Sequence, residues 1–160
     1  RKGTVIGDNC RIGNNTLIRE NVKIGKGCSI GFSNAIEPFS VIGDNTRTQG
    51  FCMISEHSKI GNNCFIGPYG NCPADNTIGK PEGVYVPNSA VIKNGVRLGS
   101  HVVITPGNII EDNTIIGAGS IVTKSTEPNS LYYGCPASRK DILVEKKKVT
   151  TKWFILQNHN

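Results

Sequence analysis

Isoleucine falls at every sixth position at the start of the chain: Ile6, Ile12, Ile18, Ile24, Ile30, Ile36 and Ile42. The phase lapses once, at Thr48, and resumes with Ile54, Ile60 and Ile66. A second array, shifted by two, runs Ile92, Leu98, Ile104, Ile110, Ile116 and Val122. A period of six fits neither the 3.6 residues of a helical turn nor the simple alternation of a strand. It fits a short strand followed by a tight turn, with three hexapeptides closing a triangular coil and coils stacking by parallel pairing. The aliphatic then points into the prism. The next residue is often Gly (Gly7, Gly13, Gly25, Gly31, Gly43, Gly61, Gly67, Gly99, Gly117) and is expected to relieve the backbone where the chain bends. The residue four after the aliphatic is small or β-branched and is expected to fit inside beside the bend. The arrays supply about six coils, an all-β prism on the order of 30 Å long at about 4.8 Å per coil.

Between the arrays, Gly67–Pro87 carries Pro68, Pro73, Pro81 and Pro87 and reads as a loop thrown out of the prism. Loops of this length inside a compact domain are usually functional when ordered. The organisation expected is a prism over 1–138, with 67–87 extruded, and a tail over 139–160. The tail is expected to form a short polar helix and an apolar patch, Trp153–Leu156, that plugs the open end of the prism, since uncovered coil ends expose unpaired strand edges.

Composition narrows the class. Aromatics are 6% and glycines number 19 in 160 residues, so aliphatic side chains on a turn-rich backbone must fill the core. The net charge of +6 raises a nucleic-acid reading, but Arg139, Lys140, Lys146, Lys147, Lys148 and Lys152 cluster in the tail and the other cations are scattered singly, so no nucleic-acid partner is expected. No apolar run approaches the roughly 20 residues of a membrane span, so no membrane partner is expected. Cys10, Cys28, Cys52 and Cys64 share the small position four after the aliphatic and read as packing residues. Buried, unpaired thiols point to a reducing compartment and a cytoplasmic protein. The chain opens at Arg1 inside a patterned segment, which suggests residues upstream that were cut away or that belong to a preceding domain.

The repeat over residues 3 to about 124 resembles the hexapeptide-repeat acyltransferase superfamily, and the resemblance implies a left-handed parallel β-helix; the period alone does not fix the hand. A second likeness lies in Gly117-Ala118-Gly119-Ser120-Ile121-Val122-Thr123-Lys124, followed by Glu127-Pro128 and Gly134-Cys135-Pro136-Ala137. It is similar to the closing segment of the superfamily's sugar and small-molecule acetyltransferases. The resemblance implies acetyl-CoA as co-substrate, with coenzyme A contacts on Gly117, Ala118, Gly119, Lys124, Arg139 and Lys140. It also implies a homotrimer with a site between subunits, walled by the extruded loop, on which Asn71, Asp75 and Asn76 are the candidate acceptor contacts.

Transfer to an amine or hydroxyl needs a proton acceptor, and imidazole suits that near neutrality. Of the three histidines, His159 lies in the tail and His101 follows Gly99-Ser100 at a corner. His57 stands three after Ile54, at an outward corner. Ile54-Ser55-Glu56-His57-Ser58-Lys59-Ile60-Gly61 is similar to the stretch that supplies the base in nucleotide-sugar N-acetyltransferases acting on 4-amino sugars. There an acidic residue follows the histidine and orients it; here Ser58 follows and Glu56 precedes, so Glu56 is the candidate partner. The reading is an acetyl-CoA-dependent N-acetyltransferase acting on an amino sugar, nucleotide-linked. The alternatives are O-acetylation of a sugar or small-molecule hydroxyl, a relative that needs no protein base, or a non-catalytic β-helix scaffold. No metal is expected, because no C-x-x-C pair and no trio of converging histidines is present.

Overall fold

The computed structural model describes residues 1–77 and 85–142, the last two as backbone alone. Within them, eighteen two-residue strands run from Val5–Ile6 to Ile121–Val122, one for each hexapeptide. Every third strand joins the same sheet, so three parallel faces of six strands rise together, the first beginning with Val5–Ile6, the second with Arg11–Ile12 and the third with Leu17–Ile18. The result is the triangular parallel β-helix that the sixfold period requires, six coils high. A seventh layer rises on the second face, where Ser130–Gly134 pairs parallel with Ile115–Ile116 and Ala137–Ile142 folds back antiparallel upon it.

That hairpin revises the carboxy-terminal expectation. Residues 137–142 are strand, where a helical tail was expected from 139. The other expectations for the tail, Trp153–Leu156 as a plug and the position of His159, lie outside the described residues. The core's upper end is covered by Tyr132, buried to 9% exposure, whose hydroxyl accepts the Glu127 N–H at 3.1 Å. Among the described residues there is no helix long and apolar enough to cross a membrane.

The guiding aliphatics from Ile24 to Val122 are buried at 0–3% exposure. The first coil is less covered, with Ile6 43% and Ile12 39% exposed. The glycine that follows the aliphatic does not relieve a bend, as had been expected. Its φ is ordinary; what it answers is the closeness of the next coil. A Cβ on Gly31 would stand 2.4 Å from the Gln49 carbonyl carbon, and one on Gly13 2.5 Å from that of Gly31. The bend is made two residues later. The third residue after each aliphatic from Ile6 to Ile116 lies in the left-handed region, with φ of +51° to +60° at Asn9, Asn15, Asn21, Ser33, Asn45 and their non-glycine counterparts, and positive also at Gly27, Gly95, Gly107 and Gly119. Asn and Gly are the residues that tolerate this conformation best.

The small position proves to be a donor as well as a packing site. Its hydroxyl or thiol reaches the carbonyl fifteen residues on, in the coil above: Thr16 to Gly31 at 2.7 Å, Cys28 to Gly43 at 3.1 Å, Thr46 to Gly61 at 2.8 Å and Cys52 to Gly67 at 3.2 Å. The cysteines thus pack as expected, as free thiols. Burial pushes the thiols of Cys28, Cys52 and Cys64 upward, and that of Cys72 to about 12.

The lapse at Thr48 has a local cause. Asn34 occupies a small position inside the prism, and its carboxamide donates to the Thr48 hydroxyl at 2.9 Å and to the Gly31 carbonyl at 3.0 Å while accepting the Cys52 N–H at 2.7 Å. A buried amide must find partners, and a threonine in place of isoleucine supplies one. Thr48→Ile, although it restores the repeat, is therefore expected to destabilise the chain by about 1–3 kcal/mol, the cost of an orphaned buried donor. Adding Asn34→Thr should recover most of the loss, because a hydroxyl there has the bonding pattern of Thr16 and Thr46. Urea denaturation of the single and double variants checks both outcomes.

Candidate functional site

The inserted segment leaves at the third corner. Strands normally stack eighteen residues apart, as Val41 beneath Lys59, but Lys59 lies beneath Val91, thirty-two residues on, so fourteen residues are inserted. The loop is shorter than the expected 67–87: Gly67–Cys72 stay in the prism, with Asn71–Cys72 a strand of the third face and Cys72 buried at the guiding position. Asn71 is thus a strand residue, and its Oδ1 is buried without a partner. Asp75 begins the departing limb, its carboxylate accepting the N–H and hydroxyl of Thr77 at 2.7 and 2.6 Å. Asn76 beside it is exposed.

His57 sits at that same corner, one coil below the departure. Its φ is +58° and its N–H donates to the Pro38 carbonyl at 3.0 Å. The exposed imidazole stacks on Phe39 with centroids 5.0 Å apart and planes inclined by 11°, so packing rather than a carboxylate holds it. Glu56, expected to orient the ring, instead anchors the returning limb of the loop. Its carboxylate accepts the Tyr85 hydroxyl and its carbonyl accepts that of Ser89. The Tyr85 phenol is pushed up from 10 to about 12, first by the hydrogen bond to Glu56, then by burial and by the charges of Glu56, Asp75 and Glu37. Sequence reasoning missed Tyr85, which stands outside the repeat and offers no periodic signal. Ser58, next to His57, has a buried Oγ without a partner. Its regular acceptor would be the carbonyl of residue 73, where the chain turns away into the loop.

Gly117, Ala118 and Gly119 form the second corner of the sixth coil. They differ in what they offer. Gly117 is covered: a Cβ there would stand 2.8 Å from that of Tyr133. Ala118 is exposed, and its N–H, like that of Ser100 one coil below, meets no acceptor among the described residues. Gly119 has φ +70° with nothing within 4 Å of its would-be Cβ. Lys124 is exposed at the third corner. Arg139 pairs with Glu127, and the Lys140 ammonium lies 4.9 Å from the Tyr133 ring centroid. One chain therefore brings His57, Glu56, Asp75 and Asn76 to its third corner and Gly117–Gly119 to its second, three coils higher, without joining the two groups. No group of three His, Cys, Asp or Glu side chains among the described residues is arranged to hold a metal ion.

Family models add to this geometry. One described as bacterial transferase hexapeptide (six repeats) matches residues 3–37 and 39–70, and one described as hexapeptide repeat of succinyl-transferase matches 107–127, together just over half of the chain. The chain belongs to the hexapeptide-repeat transferase family. Among curated members, a galactoside O-acetyltransferase of Escherichia coli (strain K12) is 60% identical over 45 residues, 28% of this chain and 22% of that protein. A dTDP-3-amino-3,6-dideoxy-alpha-D-galactopyranose 3-N-acetyltransferase of Aneurinibacillus thermoaerophilus is 42% identical over 50 residues, 31% of this chain and 26% of that protein. The matched segments thus span about a quarter of these relatives. A galactoside acetyltransferase solved in complex with coenzyme A superimposes with a TM-score of 0.56 at 30% identity, covering 86% of this chain and 66% of that one.

The anchor between loop and prism is open to test. The Tyr85 phenol gains its neutral-state preference from Glu56, so the link holds below the ordinary phenol range near 10 and is lost as pH rises through about 12. Glu56→Gln is expected to return the latest-titrating tyrosine of the ultraviolet absorbance titration toward that ordinary range. An unchanged titration would mean that Tyr85 is not held by Glu56.

Proposed function

We propose that this chain is an acetyltransferase domain that uses acetyl-CoA to acetylate the amine of an amino sugar, presented on a nucleotide carrier, in the reducing cytoplasm that its free thiols suit. The observation that carries the choice of an amine is the charge around the third corner. Glu56 and Asp75 act on Tyr85 at this corner, while Glu37 is paired with Arg19 at 2.9 Å; the two remaining carboxylates favour a cationic ammonium over a neutral hydroxyl. The coenzyme supplies an activated acetyl thioester. The chain's own residues hold the acceptor and take its proton. Asn71 on the third face and Asp75 and Asn76 on the departing limb present polar groups. His57, steadied by Phe39, accepts the proton that leaves the ammonium, freeing the nitrogen lone pair for attack on the carbonyl carbon; the C–S bond then breaks and the sulfur leaves as the thiol, carrying the second proton that the nitrogen sheds as the amide forms. The Ala118 N–H, three coils or roughly 14 Å above His57, is a donor for the coenzyme away from its reacting carbonyl. Gly119 leaves room for the coenzyme, with Lys124, Arg139 and Lys140 as cations for its phosphates.

Because the second and third corners of one prism carry different halves of this machinery, the working form is read as a homotrimer. The third face, which lies between those corners, presents Leu17, Ala35, Met53, Asn71, Val103 and Ile121 with no charge. The first face carries Lys23 and Lys59, and the second Arg11, Arg47 and Arg97. Three uncharged faces packed about a threefold axis would set the second corner of one copy against the third corner of the next.

O-acetylation is the second reading, favoured by the 60% identity to the galactoside O-acetyltransferase segment. A non-catalytic scaffold is the third, and coenzyme A should raise the melting temperature of an enzyme but not of a scaffold. Thiol release from acetyl-CoA with a panel of amino-sugar nucleotides and galactosides tests the first two. His57→Ala is expected to lower kcat by roughly 10²–10⁴; unchanged kinetics would mean that the amine arrives already deprotonated and needs no base. Sedimentation at assay concentration is expected to give a trimer, and a fully active monomer would overturn the shared site.

A further inference from the structure

The second corner carries a feature that acetyl transfer alone does not require. Phe51, Tyr69 and His101 occupy its left-handed position in three consecutive coils, where other corners have mostly Asn or Gly. Their rings form one column: Phe51 and Tyr69 stack with centroids 5.0 Å apart and planes at 8°, Tyr69 and His101 at 4.6 Å and 17°, and Phe32 closes the lower end edge-on at 4.9 Å. All four side chains are exposed. The spacing follows the rise of the coils, about 4.8 Å, so a ring in the next coil would continue the column. That coil has Gly119, with open space where a side chain would begin. The column stops one ring short, with the exposed His101 as its last ring.

The adjoining face supplies a second element. Arg47 and Arg97 flank Phe65 as cross-strand neighbours, and Arg97 belongs to the same coil as His101. Both arginines are exposed, and neither takes part in an ion pair among the described residues. Flat rings with a vacant last place, beside unpaired guanidinium groups, make the chemistry that recognises a nucleotide: the base continues the stack and the phosphates meet the cations.

We propose that the open place over His101, bordered by Gly119, seats the base of a nucleotide ligand. The site rests on the acetyltransferase reading only for the two sources of that base, the adenine end of coenzyme A or the nucleotide that carries the acceptor sugar. The Gly119 contact is then a contact with a base rather than with the pantetheine arm.

Calorimetric titration of the full chain with adenosine 3′,5′-bisphosphate, dTDP and the base-free 4′-phosphopantetheine tests this, in wild type, His101→Ala and Gly119→Tyr. Phe51 and Tyr69 demonstrate that the corner accepts a ring, so Gly119→Tyr is expected to fold with an unchanged melting midpoint and to fill the vacant place. The expected result is that at least one nucleotide binds and weakens tenfold or more in both variants, while phosphopantetheine is unaffected. A loss for the adenosine compound assigns the base to the coenzyme; a loss for dTDP assigns it to the acceptor. Nucleotides that fail to bind, that bind both variants as tightly as wild type, or that weaken only in parallel with phosphopantetheine overturn the proposal. Acetyl transfer absent in every assay, with nucleotide binding still sensitive to both variants, removes the enzyme reading and leaves the base site. Normal transfer with nucleotide binding indifferent to both variants does the reverse.

Discussion

The left-handed backbone conformation three residues after each guiding aliphatic is the constraint on which the column depends. Without it the two-residue strands could not turn toward the next face, and the aliphatics could not all point inward. The conformation costs an L-residue roughly 1–2 kcal/mol unless it is Gly, with Asn and Asp eased by local hydrogen bonds. A chain that repeats it in every hexapeptide therefore draws on few residue types for its corners. Phe, Tyr and His are not among those favoured on conformational grounds. Where Phe39, His57, Phe51, Tyr69 and His101 stand at corners, stacking with a neighbour one coil away offsets part of that cost, and an exposed ring is held in a fixed place.

The parallel β-helix was legible because its cause is periodic. One buried aliphatic per strand, eighteen residues per coil, leaves an unmistakable trace, and even the shift of two between the arrays follows from a fourteen-residue insertion. The role of glycine was misread because two steric demands are adjacent in the hexapeptide. Gly31 answers the closeness of the Gln49 backbone, whereas Gly27 answers the bend, with φ +66°, and composition alone does not separate them. Thr48 looked like a gap in the pattern; it is one end of a hydrogen-bonded network whose other end, Asn34, lies fourteen residues earlier and at a different place in the repeat. The extent of the loop was overestimated because Cys72 fills a guiding position without being an obvious aliphatic.

The candidate site was legible only in part, for the same reason. His57 and Gly117–Gly119 fall at computable places in the repeat, so their corners follow from counting. The partner of Glu56 does not, because Tyr85 lies on an aperiodic segment that only the fold brings back to the prism. The ring column was missed although Phe51, Tyr69 and His101 share one position of the hexapeptide. They are separated by eighteen and thirty-two residues, and the second interval becomes a simple stack only once the insertion has been located between Cys72 and Val91.

The three corners satisfy their backbone differently, and this divides structure from function. At the first corner Asp44, Asn62, Asn94 and Asp112 each accept, through a side-chain oxygen, an N–H of the coil below, at 2.7–2.9 Å. Asn129 extends the ladder over Asn113. That edge is saturated with internal hydrogen bonds and has little left for a ligand. The third corner is interrupted by the insertion, which orphans Ser58 Oγ and sets Tyr85 between Glu56 and the charge of Asp75. The second corner has no Asx ladder; it has free N–H groups at Ser100 and Ala118, stacked rings, and a glycine where the stack ends. A column built from identical turns can hold a ligand only where its repeat leaves bonding capacity unspent, and the two edges that do so are those flanking the uncharged third face.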